Sequence, residues 1–159
     1  MLFRSLRKAV EERLDLLNAQ IGYSSGAAGS DILFVEAMQE RGAEVNIILP
    51  FDLEDFVRTN VAYAGRRWER RFRNALKLAA TVSYATDEHY LGHDMLYRFG
   101  NQVLHGLTSI RSQFLGSPLY LLAVWDLMPE SLPGGAADFI DQWGDPSRIN
   151  IIDIDELNA

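Results

Sequence analysis

The chain reads as an α/β protein: a Rossmann-like, mostly parallel sheet of about five strands with helices on both faces. Three observations lead there. Short apolar segments alternate with helical ones along the length, which is the rhythm of a parallel sheet with crossover helices. The apolar segments lack clean in–out alternation, as in strands covered on both faces. The length of 159 residues, with 48% hydrophobic and 23% charged, suits one domain with a real core. Residues 1–159 are therefore read as one unit, with no repeat and no internal boundary.

Each element has its own signal. Residues 2–18 place Leu6, Val10, Leu14 and Leu17 at three- and four-residue spacing, one face of an amphipathic helix. Residues 19–24 are short and strand-like. Asp31 to Arg41 reads as a helix, with Asp31 as N-cap and Gly42 as its stop. Its start, Ile32-Leu-Phe-Val35, is apolar nearly all round, so the helix is buried. Glu44–Pro50 is a β-branched strand ended by proline. A short helix capped by Asp52 follows, then a loop at 60–65 and a helix over 66–78. Ala80–Ala85 is a third strand. Residues 91–115 are helical, with a break expected at Gly92, Gly100 or Gly106. Pro118–Trp125 is the most hydrophobic strand and is expected to be central. A loop over 126–132, a helix over 135–143 and a last strand over 149–154 complete the chain.

Composition narrows function. The net charge of −7 argues against a nucleic-acid partner, which needs an electropositive footprint. Arg66 to Arg73 holds five arginines, read as the solvated face of a helix or a phosphate- or partner-facing patch. No cysteine is present, so disulfides, thiolate metal sites and cysteine nucleophiles are excluded. No apolar run is long enough to span a bilayer, and the first residues lack a secretion signal. The expected setting is cytoplasmic, without a membrane partner.

In open parallel sheets, ligands collect outside the carboxyl ends of the strands. The loop after the first strand holds Ser24, Ser25, Gly26, Gly29 and Ser30 and opens directly into the Asp31 helix. Glycines admit a ligand to the backbone, and a helix N-terminus favours phosphate. The spacing is not the dinucleotide G-x-G-x-x-G. Asp31 competes with an anion there, and either holds the loop or meets a ribose hydroxyl. The second small-residue loop, Pro133-Gly-Gly-Ala136, again leads into a helix. Two such loops converge on one crevice if their strands lie close together. Arg58 is the candidate cationic phosphate partner, because Arg binds phosphate bidentately.

These residues carry a resemblance. The Gly/Ser-rich turn, then Gly29-Ser-Asp-Ile-Leu-Phe-x-Glu-Ala37, a strand ending Leu-Pro50, and later Pro133-Gly-Gly135 resemble the SLOG superfamily. That superfamily groups Rossmann-like domains of the DprA and Lonely-Guy phosphoribohydrolase type. The chain also resembles bacterial members found in larger signalling proteins, beside nucleotidyl cyclase modules. The resemblance covers about residues 5–155. It implies a nucleotide ligand with phosphate at Ser24, Ser25, Gly26, Gly29 and Ser30 on one side and Gly134, Gly135 and Ala136 on the other. Lonely-Guy enzymes read Pro-Gly-Gly-x-Gly-Thr-x-x-Glu, whereas here Ala137, Asp138 and Asp141 stand at the last glycine, threonine and glutamate. Asp138 and Asp141 are the candidate catalytic carboxylates for N-glycosidic hydrolysis. The substitutions favour binding over turnover, since catalysis tolerates little misplacement. A ligand-free structural role is the third alternative. Family members open with a central strand before the first helix. Here Leu2-Phe3 is a remnant of it, or the chain is a fragment, or a partner supplies the strand. Its absence exposes sheet edges and favours a homo-oligomer.

The remaining constellations are weaker. His89 and His93, four apart near Asp87, Glu88 and Asp94, have metal-ligand spacing, but Gly92 weakens the helix. They are read as surface or loop histidines, so no metal and no cofactor is assigned. His105, Trp68, Phe72 and Trp125 are read as packed.

Overall fold

The computed structural model describes residues 2–125 and 135–158. Among the described residues six helices and five strands follow one another: α1 Leu2–Leu17, β1 Ile21–Ser24, α2 Ser30–Glu40, β2 Glu44–Leu49, α3 Leu53–Asn60, α4 Arg66–Leu78, β3 Thr81–Tyr84, α5 Met95–Leu115, β4 Leu121–Trp125, α6 Ala136–Trp143 and β5 Ile149–Asp153. Three 3₁₀ turns, at Ala62–Ala64, Pro146–Arg148 and Glu156–Asn158, link or end them. The α/β class with parallel pairing is the one the sequence predicts. The loop expected over 126–132 lies outside the described residues.

The five strands form two parallel ladders among the described residues, not one sheet. One has the order β1-β2-β3 and the other pairs β4 with β5. β2, not β4, is the central strand. Val45 to Leu49 are all buried, as a strand with neighbours on both edges and layers on both faces requires. Its one buried polar side chain is satisfied: Asn46 Nδ2 donates to Glu44 Oε2 (2.8 Å) and Thr81 Oγ1 donates to Asn46 Oδ1 (2.7 Å). β4 is as apolar as expected, but only Ala123 in it is buried.

Helices lie on both sides of the three-stranded ladder. α1 packs on α2 and α2 on α4, while α5 packs on β1, β2 and α6. Successive residues of β1 confirm the two layers. A Cβ on Gly22 would lie 2.9 Å from Phe34 of α2, whereas Tyr23 Oη accepts from Arg111 of α5 (3.2 Å). α5 runs back along the ladder, from Gly100 against Pro50 at the end of β2 to Arg111, which bonds Glu44 at its start (3.1 Å). Asp138 at the start of α6 meets Arg98 near the start of α5 (3.3 Å).

Several local expectations change. α5 is unbroken through Gly100 and Gly106, and Gly92 precedes it with φ of 79°. Gly100 exists for close approach: a Cβ there would lie 2.8 Å from Pro50 Cβ. Leu2 and Phe3 belong to α1 and are no remnant of a strand. Asp52 caps α3 as expected, accepting from Asp55 N–H (3.1 Å). Asp31 is not the cap of α2; Gly29 occupies that place, with φ of 102°. The core is mainly aliphatic, drawn from α1, α2, β2 and α3, with Phe51, Phe56 and Phe72 fully buried in it and packed edge-on or tilted.

Candidate ligand-binding cleft

β1 and β4 do not pair with each other, and a cleft of about 980 Å³ lies between them. Val10 and Leu14 of α1 and Phe34 and Met38 of α2 wall one side. Leu104 and Thr108 of α5, with Phe139 and Trp143 of α6, wall the other. Both small-residue loops open onto it. Ser24, Ser25, Ser30 and Asp31 line it from the first loop, and Gly135 and Ala136 from the second. The cleft reaches the carboxyl end of β1, where the strand-end rule looks for ligands, but it also extends to the residues that precede β1 and β4, Asn18–Gln20 and Ser117–Tyr120. Gly134 lies outside the described residues.

The first loop is wired to itself. Gly26 N–H donates to Ser24 Oγ (3.1 Å), Ala28 N–H to the Asn60 carbonyl (3.0 Å), and Ala27 N–H to Asp31 Oδ2 (3.3 Å). Ser25 Oγ donates to the same carboxylate oxygen (2.9 Å). Asp31 thus holds the loop, the first of the two roles open to it in the sequence. Burial raises its pKa above the ordinary aspartate value, and the bonds from Ser25 and Ala27 oppose that only in part. The backbone N–H groups of Gly26, Ala27 and Ala28 are therefore already committed within the protein. Gly26 has a positive φ and its bare side faces Phe72 (3.3 Å to a built Cβ), so its glycine serves packing, not ligand approach. A Cβ on Gly29 would meet nothing within 4 Å. At the start of α2 the N–H groups of Ile32 and Leu33 donate to the Ala27 (3.3 Å) and Gly29 (3.2 Å) carbonyls, so the donors such a helix start offers a ligand are those of Ser30 and Asp31.

The other predicted residues separate. Asp138 is engaged with Arg98, and Asp141 is exposed and absent from the cleft walls. Arg58 points away: its guanidinium is largely exposed and pairs with Asp55 (3.2 Å). It does not line the cleft. A carboxylate three residues before it on α3 gives it an i,i+3 partner, a pattern visible in the sequence.

Residues the sequence reading passed over sit at the cleft. Tyr97 Oη donates to Asn60 Oδ1 (2.8 Å), which ties α5 to the end of α3 at the upper mouth. At the lower end Arg111 bridges Tyr23 and Glu44. These pairs join positions tens of residues apart, and no local motif announces them.

The arginines of α4 are mostly on its solvated face. Arg71 forms a bidentate pair with Glu36 (2.8 and 2.6 Å) over the Trp68 ring, and Arg73 binds Glu54 and Glu69. A shallower hollow of about 500 Å³ lies among Arg66, Glu69, Arg70 and Arg73, with no loop converging on it. His89 and His93 do not share a helix. His89 instead meets Asp55 (3.0 Å) and Asp52 (3.8 Å), where Asp55 also accepts from Tyr90 N–H (2.8 Å). That amide holds the Asp55 carboxyl below its ordinary pKa. His105 stacks on Trp143 with ring centroids 4.7 Å apart, as a packed histidine.

Among the described residues no helix is long and apolar enough to cross a membrane. No family model, no curated protein and no solved structure matches this chain.

Proposed function

We propose that this protein binds a nucleotide or nucleotide derivative, as a sensor or regulatory domain in the cytoplasm. One observation carries the reading: two small-residue loops more than a hundred residues apart in the chain open onto one cleft. The phosphate would meet the first N–H groups of α2 at Ser30 and of α6 at Gly135 and Ala136, where two helix dipoles converge. The base and sugar would enter the apolar part of the cleft, whose volume lies at the upper end of the small-ligand range. The resemblance to SLOG domains points the same way.

Binding is favoured over hydrolysis. A catalytic carboxylate must reach the reacting bond. Asp141 stands outside the cleft walls and Asp138 is paired with Arg98. The test is a thermal-shift panel of mononucleotides at millimolar concentration, with Ser30→Glu as the variant. A rise in Tm that the added carboxylate abolishes supports the reading. No rise with any nucleotide overturns it and leaves the structural alternative.

A further inference from the structure

We infer that the outer face of α5 is a homodimer interface, on which a second copy of this chain lays its own α5 in the antiparallel direction. Spacing defines the face. Met95, Phe99, Val103, Ile110 and Phe114 recur in helical steps along one stripe, with Gly106 and Leu107 at its middle. Met95, Phe99, Leu107, Ile110 and Phe114 are all exposed, Phe114 to 86%, and Val103 is half-buried. None of them lines the cleft, which Leu104 and Thr108 meet from another side of the helix. From Phe99 to Phe114 the one residue among Lys, Arg, Asp and Glu is Arg111, and it turns inward to Tyr23 and Glu44. A contiguous apolar patch of this kind marks an interaction surface.

The occupant follows from symmetry. A two-fold interface sets one surface against itself, so its pattern must read alike from both ends. This one does. Phe99 and Phe114 are equidistant from the point between Gly106 and Leu107, and so are Val103 and Ile110. Antiparallel helices meeting at that point set Phe99 level with Phe114 of the second copy, and Val103 level with its Ile110. Residues at the axis meet their own counterparts. Leu107 packs on Leu107, and Gly106, where a built Cβ has nothing within 4 Å, leaves room for the helices to close up.

The area suits a dimer. At about 200 Å² per large side chain, the five exposed residues present roughly 550 Å² of surface per protomer. That is most of the ~800 Å² each partner gives to a stable interface. Gln102 and Gln113, both exposed, add an uncharged rim. A membrane is a poorer occupant, since a surface-bound helix carries free Lys and Arg beside its apolar face. The two arginines of α5 are instead paired, Arg98 with Asp138 and Arg111 with Glu44. An unrelated protein would need no internal symmetry in the stripe. The surface lies on a helix, apart from the sheet edges through which the sequence reading expects self-association.

The test is sedimentation of the full chain, without nucleotide, from micromolar to near-millimolar concentration. The mass should rise from monomer to dimer and stop there. Ile110→Glu and Phe114→Glu, both on the exposed face, should each weaken association about tenfold or more, because each buries an unpaired charge. Their circular dichroism should match wild type, and the second variant serves if the first unfolds. The chain has no cysteine, so one introduced thiol reports the register. Leu107→Cys should oxidise to a covalent dimer, since its two copies meet at the axis. Gln113→Cys should not, since its copies stand about 20 Å apart along the helix pair. A monomer at every concentration overturns the inference, and so does growth past the dimer. A dimer indifferent to both glutamates, or one linked as readily through Gln113→Cys as through Leu107→Cys, overturns it too. So does a monomer that binds phospholipid vesicles through this face. No nucleotide is present, so failure here and failure of the ligand reading are separate results.

Discussion

Residues 2–84 and residues 95–153 are built from the same parts, helices over parallel strands, yet they bury very different amounts. In the first region α2 buries five side chains and β2 five in a row. In the second, Leu96, Ala123 and Ile152 are the buried apolar side chains among the described residues, and α6 buries none. The cause is the cleft. β2 has a strand on each edge and a layer on each face, whereas β4 has one strand neighbour and an open flank. Apolar content alone therefore does not make a strand central. The neighbours do, and they are set by chain order and crossover.

The contrast can be broken first at its deep side. Phe72→Ala removes a fully buried ring that stacks on Phe56 (5.7 Å) and should cost about 3–5 kcal/mol in urea unfolding. Trp143→Ala, in the second region, should cost well under half of that, because its ring is only partly covered and rests on His105. Equal costs would refute the comparison. The junction between the regions is probed at Gly100. Gly100→Val drives its side chain into Pro50 and should cost about 1–3 kcal/mol. Gly106→Ala, a few residues along the same helix, meets nothing and should gain about 0.5–1 kcal/mol.

Much of this was legible in the sequence. The bounds of α1, α4, α6 and β5 are legible to within a residue, Asp52 announces its cap, and the two small-residue loops announce a shared cleft. What was hidden depends on distance in the chain. Nothing near Gly26 says that its bare side faces Phe72. Nothing near Asp31 says that its carboxylate takes the loop amides instead of capping α2. β4 was misplaced because hydrophobicity records what a strand wants to bury, not whether a neighbour arrives to cover it.

Asp31 offers a pH test of the loop. Its folded pKa is raised by burial, so the folded state holds the proton more tightly than the unfolded chain. The stability this provides is full below the unfolded aspartate value and is lost as pH rises through the folded one. Wild type should therefore lose stability relative to Asp31→Asn across that rise, and recover it on acidification, in urea melts taken at a series of pH values. The opposite slope would mean that the carboxylate is stabilised as an anion. The smallest effect belongs to Arg58. Arg58→Ala breaks an exposed pair and should shift stability by about 0.5 kcal/mol or less, with nucleotide affinity unchanged.

The central claim, that two distant loops form one binding site, is tested most directly by an NMR titration of mononucleotides into the full chain. The account predicts that amides of Ser24–Asp31 and of Gly135–Ala136 shift together with one apparent Kd, while those of Arg66–Arg73 stay still. Shifts confined to one loop or to the arginine helix, or none at millimolar ligand, would contradict it.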